Sequence, residues 1–207
     1  FDSADGSRHY RVWTAVPNKA APASGYPILY MLDGNAVMDR LNDDLLKQLA
    51  EKSPPVIVAV GYQTNLPFDL NGRAYDYTPA AESGKTDTRN GRFSRKNGGS
   101  NDFRQLLETR IAPKVEQGLN IDRQRRGLWG HSYGGLFVLD TWLSSSYFRT
   151  YYSASPSLGR GHDALLSRIT AVEPSQYCAR RLMIMEGSAT PGDNRETHAV
   201  SYTHLTL

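Results

Sequence analysis

The sequence of 207 residues predicts an α/β fold in which helices cover both faces of a mostly parallel β-sheet. Three apolar runs, at residues 26–32, 56–61 and 181–187, have the length and continuous hydrophobicity of strands buried on both faces. Segments with the apolar spacing of amphipathic helices lie between these runs. Such alternation is typical of parallel sheets, because each parallel connection crosses over through a helix.

The first half of the chain supplies an edge strand and two central strands. Residues 9–17 alternate in the β manner and stop at a proline, which predicts an edge strand. The apolar run 26–32 is followed by the turn Asp-Gly-Asn at 33–35, at the carboxyl end of a strand, where open α/β sheets bind ligands. Residues 41–52 have the pattern of an amphipathic helix, and the strand 56–61 comes next.

Residues 63–100 predict a long polar loop, rich in Gly, Asn and Arg. A loop of this length in a compact domain is usually functional or disordered. Its basic part, residues 89–96, is either a solvated loop or a basic rim that attracts a negatively charged substrate. A helix over about 101–117 follows, and Pro113 is expected to kink it.

The next segment has the Gly-x-Ser-x-Gly pattern of a nucleophile elbow, centred on Ser132. Residues 126–129 predict a short buried strand, and residues 136–143 predict the helix after the turn. Ser132 is expected to have a strained backbone, with Gly130 and Gly134 placed where a Cβ would clash with the opposite limb of the turn. The alternative is a glycine-rich turn with an ordinary surface serine.

The remaining segments complete the predicted sheet. Gly135 allows the helix after the elbow to pack closely on a strand. A short strand is predicted at 151–156, a weak helix at 164–171 and a last buried strand at 181–187. The length fits one domain over residues 1–207.

Composition excludes several classes of function. The net charge of +3 is mild, and no basic stripe interleaved with aromatic residues predicts nucleic-acid binding. No apolar run reaches the length of a membrane span. No His/Cys cluster has metal-ligand spacing, so no metal and no cofactor is predicted. The single Cys178 cannot form a disulfide within the chain, which leaves the redox compartment open.

Three features of the predicted sheet lie at the carboxyl ends of strands: Ser132, the turn 33–35 and the loop after Glu186. This placement predicts that Ser132 attacks a carbonyl carbon. The backbone N–H groups of Asn35 and Tyr133 are expected to hold the resulting oxyanion, and donors of this kind typically contribute about 3 kcal/mol each.

Four motifs together resemble a known family. The residues at 32–35, 73–79, 130–135 and 153–157 resemble those of the α/β-hydrolase esterases of the esterase D type. Within that group they are most similar to the periplasmic trilactone esterases that cut the catecholate siderophores enterobactin and salmochelin. The resemblance extends from Tyr10 to about Val200.

The resemblance implies a role for each candidate residue. Ser132 would be the nucleophile, and Asn35 and Tyr133 would donate the oxyanion-hole N–H groups. Arg73 would face the pocket and bind anionic catecholate oxygens, since a guanidinium suits that geometry. The alternative for Arg73 is an ion pair with Asp76 or another loop carboxylate.

The resemblance also implies a substrate and a compartment. The substrate would be a small catecholate siderophore, free or ferric, cleaved in the periplasm without a cofactor. Two alternatives stay open: a serine esterase or acyltransferase for another acyl group, such as feruloyl or acetyl, and a non-catalytic binding protein on a hydrolase scaffold. The oligomeric state is not predicted.

A histidine base is expected late in the chain, because α/β-hydrolases carry Ser, acid and His in that order. His162 precedes the last predicted strand, and no further strand is predicted before His198 or His204. We therefore expect that the final strand, the histidine loop and the last helix are absent from this chain. The base would come from that segment, and a polypeptide ending at Leu207 would be poorly stable and have little activity.

The other titratable candidates are weaker. His131 points away from Ser132 on a sharp turn, and His9 on the edge strand is expected to be structural. Glu186 or Asp193 could supply the acid. A Ser–His dyad without an acid is also compatible with the sequence, because the acid serves to orient the imidazole.

Overall fold

The computed structural model describes residues 1–40, 53–80, 95–159, 162–187 and 200–202. The helix predicted over 41–52 and most of the basic segment 89–96 lie outside these residues. So do the candidates Asp193, His198 and His204.

The described residues form one seven-stranded sheet with the order β1-β3-β2-β4-β5-β6-β7. The strands are β1 (Tyr10–Ala15), β2 (Tyr26–Leu32), β3 (Val56–Tyr62), β4 (Ile121–His131), β5 (Thr150–Ala154), β6 (Arg181–Gly187) and β7 (Val200–Tyr202). The four inner pairings, from β3 to β6, are parallel, whereas β1 and β7 pair antiparallel at the two edges. The predicted mostly parallel sheet and the predicted edge strand at residues 9–17 are therefore confirmed.

Helices connect the parallel strands and pack against them. They are α1 (Gly34–Arg40), α2 (Leu70–Asp76), α3 (Ser100–Leu106), α4 (Ala112–Glu116), α5 (Tyr133–Ser144) and α6 (Asp163–Thr170). Helix α1 contacts β3, and α5 lies against β4 and β5. Every residue of β3 is buried, as its continuous hydrophobicity predicts.

The helix predicted over 101–117 is interrupted ahead of Pro113. A π-helical turn, Leu107–Ile111, joins α3 to α4, and the N–H of Ala112 donates to the carbonyl of Leu107, five residues back. Proline has no N–H to continue the regular ladder, so the irregularity expected at Pro113 takes the form of this wider turn.

Helix α2 lies inside the segment that the sequence predicts as a long polar loop, so that prediction is wrong for residues 70–76. Asp69 caps the helix, because its Oδ1 accepts the N–H of Gly72 at 2.9 Å. The helix buries Arg73 and Asp76, which are polar. Because these buried residues are polar, the sequence of this segment lacks the apolar spacing of an amphipathic helix.

A second difference lies at the end of the described chain. The three-residue strand β7 pairs with β6, whereas no strand after β6 is predicted from the sequence. The organisation of the chain as one domain stays a prediction.

A cluster of aromatic rings connects the edge strand to the elbow helix. Neighbouring ring centroids of Tyr10, Tyr62, Tyr77, Phe103 and Phe137 lie 5.2–5.9 Å apart. These side chains come from β1, β3, the end of α2, α3 and α5. The cluster therefore fixes α2 relative to α5, which carries the residues after Ser132.

Candidate active site

The backbone of Ser132 is strained, as the elbow motif predicts. Its φ is 59° and its ψ is −114°, in a region that residues with a side chain rarely adopt. A Cβ at Gly130 would overlap the carbonyl of Gly134. A Cβ at Gly134 itself would meet Leu32 at 3.6 Å, which is ordinary contact, so the clash predicted there is wrong.

Gly135 permits the close approach of α5 to β5 that the sequence predicts. A Cβ at this position would lie 3.0 Å from the carbonyl oxygen of Ala154 and 3.0 Å from Oγ of Ser153. The helix that follows Ser132 therefore rests directly on the neighbouring strand.

The Ser132 hydroxyl has a partner that the sequence analysis missed. Its Oγ lies 2.8 Å from Oγ of Ser157, and the N–H of Ser157 donates to the Ser132 carbonyl at 3.1 Å. Ser157 lies in the motif at 153–157, but that motif predicts no role for it. Its only sequence signal is its place just after β5, the parallel neighbour of β4.

The turn after β2 lies beside the elbow, because β2 and β4 are adjacent and parallel. A Cβ at Gly134 would be 3.8 Å from Oδ2 of Asp33, which places this turn against the start of α5. Asn35 is the second residue of α1, and Tyr133 is the first residue of α5. The N–H groups of a first helical turn have no partner within their helix, so both are available in principle to an oxyanion.

The side chain of Asn35 anchors its turn to the end of β3. Its Oδ1 accepts the N–H of Tyr62 at 2.8 Å, and its Nδ2 donates to the carbonyls of Tyr62 and Thr64 at 3.0 and 2.9 Å. A Cβ at Gly61 would overlap the Asn35 amide. The position of the Asn35 backbone is therefore set by its own side chain.

Arg73 forms an ion pair, and its partner is Asp33 rather than Asp76. Its Nε and Nη2 donate to the two carboxylate oxygens of Asp33 at 2.8 and 2.7 Å. The side chains are only 10% and 7% exposed. Asp76 instead accepts from Arg8 Nε at 2.9 Å and from the hydroxyl of Tyr10 at 2.7 Å. Arg73 thus forms the ion pair that is the alternative to substrate binding, with Asp33 as the carboxylate.

The surroundings of Arg73 keep its guanidinium charged. Burial alone would lower the pKa of Arg73, but the hydrogen bonds and the charge of Asp33 outweigh it and raise that pKa above its usual value. The rings of Phe68, Tyr77 and Tyr133 lie 5.3–5.5 Å from its Cζ. Arg73 is thereby in contact with the first residue after Ser132.

The histidine base and the acid stay predictions. His131 is exposed at the end of β4, and His162 is half-buried before α6. His9 lies 2.6 Å from Asp2 through its Nδ1 and is half-exposed. Glu186 is exposed on β6, opposite Ser201 of β7.

Two further properties concern only the residues that the structure describes. None of their helices is both long and apolar enough to cross a membrane. No three His, Cys, Asp or Glu side chains among them are grouped as metal ligands would be.

A strained serine between a central parallel strand and the following helix defines the class of the protein as an α/β-hydrolase. The family model described as "Putative esterase" matches residues 3–158. The chain therefore belongs to this esterase family, and the predicted family resemblance is confirmed.

Two of the similar proteins come from bacteria. The "Apo-salmochelin esterase" of Escherichia coli O6:H1 is 85% identical over 210 residues, which cover 100% of this chain and 66% of that protein. The "Ferri-bacillibactin esterase BesA" of Bacillus subtilis is 36% identical over 76% of this chain and 57% of its own length. The chain thus spans two thirds or less of the length of these relatives.

The fold is similar to that of a solved structure, "Enterobactin Hydolase IroE Complex with DFP". The TM-score is 0.84 at 85% identity, over 91% of this chain and 74% of the solved chain. The predicted α/β-hydrolase fold is confirmed by this match.

Proposed function

We propose that the whole protein is a serine esterase that hydrolyses the lactone bonds of catecholate siderophores such as enterobactin and salmochelin. The observation that carries the proposal is the strained Ser132. Its hydroxyl and the N–H groups of Asn35 and Tyr133 all lie at the carboxyl ends of the adjacent strands β2 and β4. The names of the 85% and 36% identical relatives supply the substrate class. A location in the periplasm rests on the family resemblance.

In the proposed reaction, Oγ of Ser132 attacks the ester carbonyl and its proton passes to a histidine base. The carbonyl oxygen becomes an oxyanion, which accepts hydrogen bonds from the N–H groups of Asn35 and Tyr133. The bond to the leaving alkoxide then breaks, and the base returns the proton to that oxygen. Water, activated by the same base, hydrolyses the ester on Ser132. The base is proposed to be a histidine outside the described residues.

Arg73 is proposed to present positive charge to the substrate at the carboxyl ends of these strands. Its guanidinium lies 5.3 Å from the ring centroid of Phe68 and 5.4 Å from that of Tyr133. A cation beside aromatic rings suits an anionic catecholate, which offers both negative oxygens and a flat ring. Asp33 sets the orientation of the guanidinium through two hydrogen bonds.

The proposal is tested with Ser132→Ala in the full-length protein. Cleavage of the salmochelin trilactone, followed by chromatography of the linear products, should fall by at least about 1,000-fold. Binding of the ferric siderophore should remain, because the substitution removes one oxygen atom. Ser144→Ala, at the exposed end of α5, is the matched control and should cleave normally.

Three outcomes would count against the proposal. Retained cleavage by Ser132→Ala would show that Ser132 is not the nucleophile. Failure of a fluorophosphonate to label Ser132 in the unsubstituted protein would favour a binding protein. Faster turnover of acetyl or feruloyl esters than of the macrolactone would assign the site to another acyl substrate.

A further inference from the structure

The nucleophile of this elbow is held by a second serine. Oγ of Ser157 lies 2.8 Å from Oγ of Ser132, and the Ser157 N–H donates to the Ser132 carbonyl at 3.1 Å. One residue therefore contacts both the backbone and the reacting atom of Ser132. The two serines are 25 positions apart and lie on the loops after adjacent parallel strands.

The contact replaces the bond that a serine usually makes at this position. Ser132 directly precedes α5, where a serine hydroxyl normally accepts an N–H of the first helical turn. With φ of 59° and ψ of −114°, its side chain makes no such capping bond. The elbow thus turns the hydroxyl away from the helix and towards Ser157.

The segment that carries Ser157 is itself fixed at several points. Oγ of Ser153 donates to the carbonyl of Gly135 at 2.8 Å, which ties the segment to α5. Ser155 has a φ of 41°, and its N–H donates to the carbonyl of Met185 on β6 at 2.6 Å. The Ser157 hydroxyl is therefore presented to Ser132 by a segment held between α5 and β6.

We propose that Ser157 is a positioning residue for the nucleophile, whose hydroxyl donates a hydrogen bond to Oγ of Ser132 during the attack. This inference rests on the proposed function. As the Ser132 O–H bond breaks, its proton goes to the base, and a bond forms between Oγ and the carbonyl carbon. The Ser157 O–H bond stays intact throughout. Its role is to stabilise the negative charge that develops on Oγ and to keep the Ser132 proton directed at the base.

The same hydrogen bond would assist the second half of the reaction. In the acylated intermediate, Oγ of Ser132 is the ester oxygen that must leave when water attacks. A donor 2.8 Å away stabilises this leaving oxygen as its bond to carbon breaks. Both acylation and deacylation are therefore expected to slow when Ser157 loses its hydroxyl.

The test uses Ser157→Ala and Ser157→Thr in the full-length protein, with phosphonylation by a fluorophosphonate as the readout. This reagent reports the reactivity of Ser132 without a siderophore. Ser157→Ala should lower the second-order labelling rate and kcat for the trilactone by about 10- to 100-fold, with KM little changed. Ser157→Thr keeps a hydroxyl and should recover most of both rates.

Ser153→Ala is the structural comparator. It removes a hydroxyl from the same segment, but that hydroxyl contacts Gly135 rather than Ser132. It should lower Tm more than Ser157→Ala does and should slow labelling less. Labelling of Ser157→Ala within about twofold of the unsubstituted rate would overturn the inference. Equal losses of labelling rate in Ser157→Ala and Ser157→Thr, with a matching fall in Tm, would also overturn the inference. If the unsubstituted protein is not labelled at all, the proposed function itself fails.

Discussion

The buried bidentate pair between Arg73 and Asp33 joins helix α2 to the turn that carries Asn35. Asp33 has a φ of 53°, and its N–H donates to the hydroxyl of Tyr77 at 3.1 Å. The turn after β2 is thus fixed from one side by α2 and from the other by β3. A residue expected to meet the substrate also has a structural role.

Loss of Arg73 should therefore destabilise the fold as well as the site. Arg73→Met leaves the Asp33 carboxylate buried without its cation, which typically costs about 3–5 kcal/mol. The free energy of unfolding in urea measures this loss. The double variant Arg73→Met/Asp33→Asn should recover part of it, because no uncompensated charge then remains. A loss below about 1 kcal/mol in Arg73→Met would show that the pair is dispensable for stability.

The need for glycine in the elbow can be tested at Gly130, with Gly159, which lies outside the elbow, as the control. Gly130→Ala should destabilise the protein by about 1–3 kcal/mol or more and abolish labelling of Ser132, because the new Cβ overlaps the Gly134 carbonyl. Gly159→Ala should be nearly neutral, since its Cβ would meet no described atom within 4 Å. Thermal unfolding and fluorophosphonate labelling of both variants check this. Normal labelling of Gly130→Ala would mean that the tight turn is not required.

Buried tyrosines should make the protein sensitive to alkali. Burial raises the pKa of Tyr30, Tyr62 and Tyr77 above its usual value near 10, and nearby carboxylates add to the effect. Above about pH 10 the unfolded chain releases these protons while the folded chain keeps them. Each such tyrosine should then lower the free energy of unfolding by about 1.4 kcal/mol per pH unit.

Urea unfolding at a series of alkaline pH values measures this slope, and phenolate absorbance reports which state has lost its protons. Tyr30→Phe should reduce the slope by the share of one tyrosine. It also removes the hydrogen bond that the Tyr30 hydroxyl donates to Glu116 at 2.7 Å, so its stability at neutral pH is the reference. An unchanged slope in Tyr30→Phe would contradict the assignment.

The parts of the fold that follow from local pattern could be predicted. Strands β2 and β3 are continuous apolar runs because both lie inside the sheet, with a paired strand on each side, and helix α1 packs against them. The elbow was predictable because a side chain at position 130, two residues before Ser132, would overlap the carbonyl of Gly134, so glycine is needed there. The place of the turn 33–35 at the carboxyl end of a strand predicted Asn35, and the family resemblance supplied Arg73.

The features that depend on distant pairing could not be predicted. Helix α2 is not predicted because its buried residues include the polar Arg73 and Asp76, which look like loop residues in the sequence. Arg73 could have paired with several carboxylates, and only the packed structure places Asp33, 40 positions away, within reach. The contact between Ser132 and Ser157 likewise depends on the register of β4 against β5.

The interlock between Asn35 and Gly61 limits how the two positions can evolve. The Asn35 amide occupies the space that any side chain at position 61 would need, and it holds the end of β3 through Tyr62. A larger residue at 61 would be tolerated only after Asn35 had been replaced, and that replacement would release the turn beside Ser132. Drift at either position alone should therefore be removed by selection, so the asparagine and the glycine are expected to be inherited as a pair.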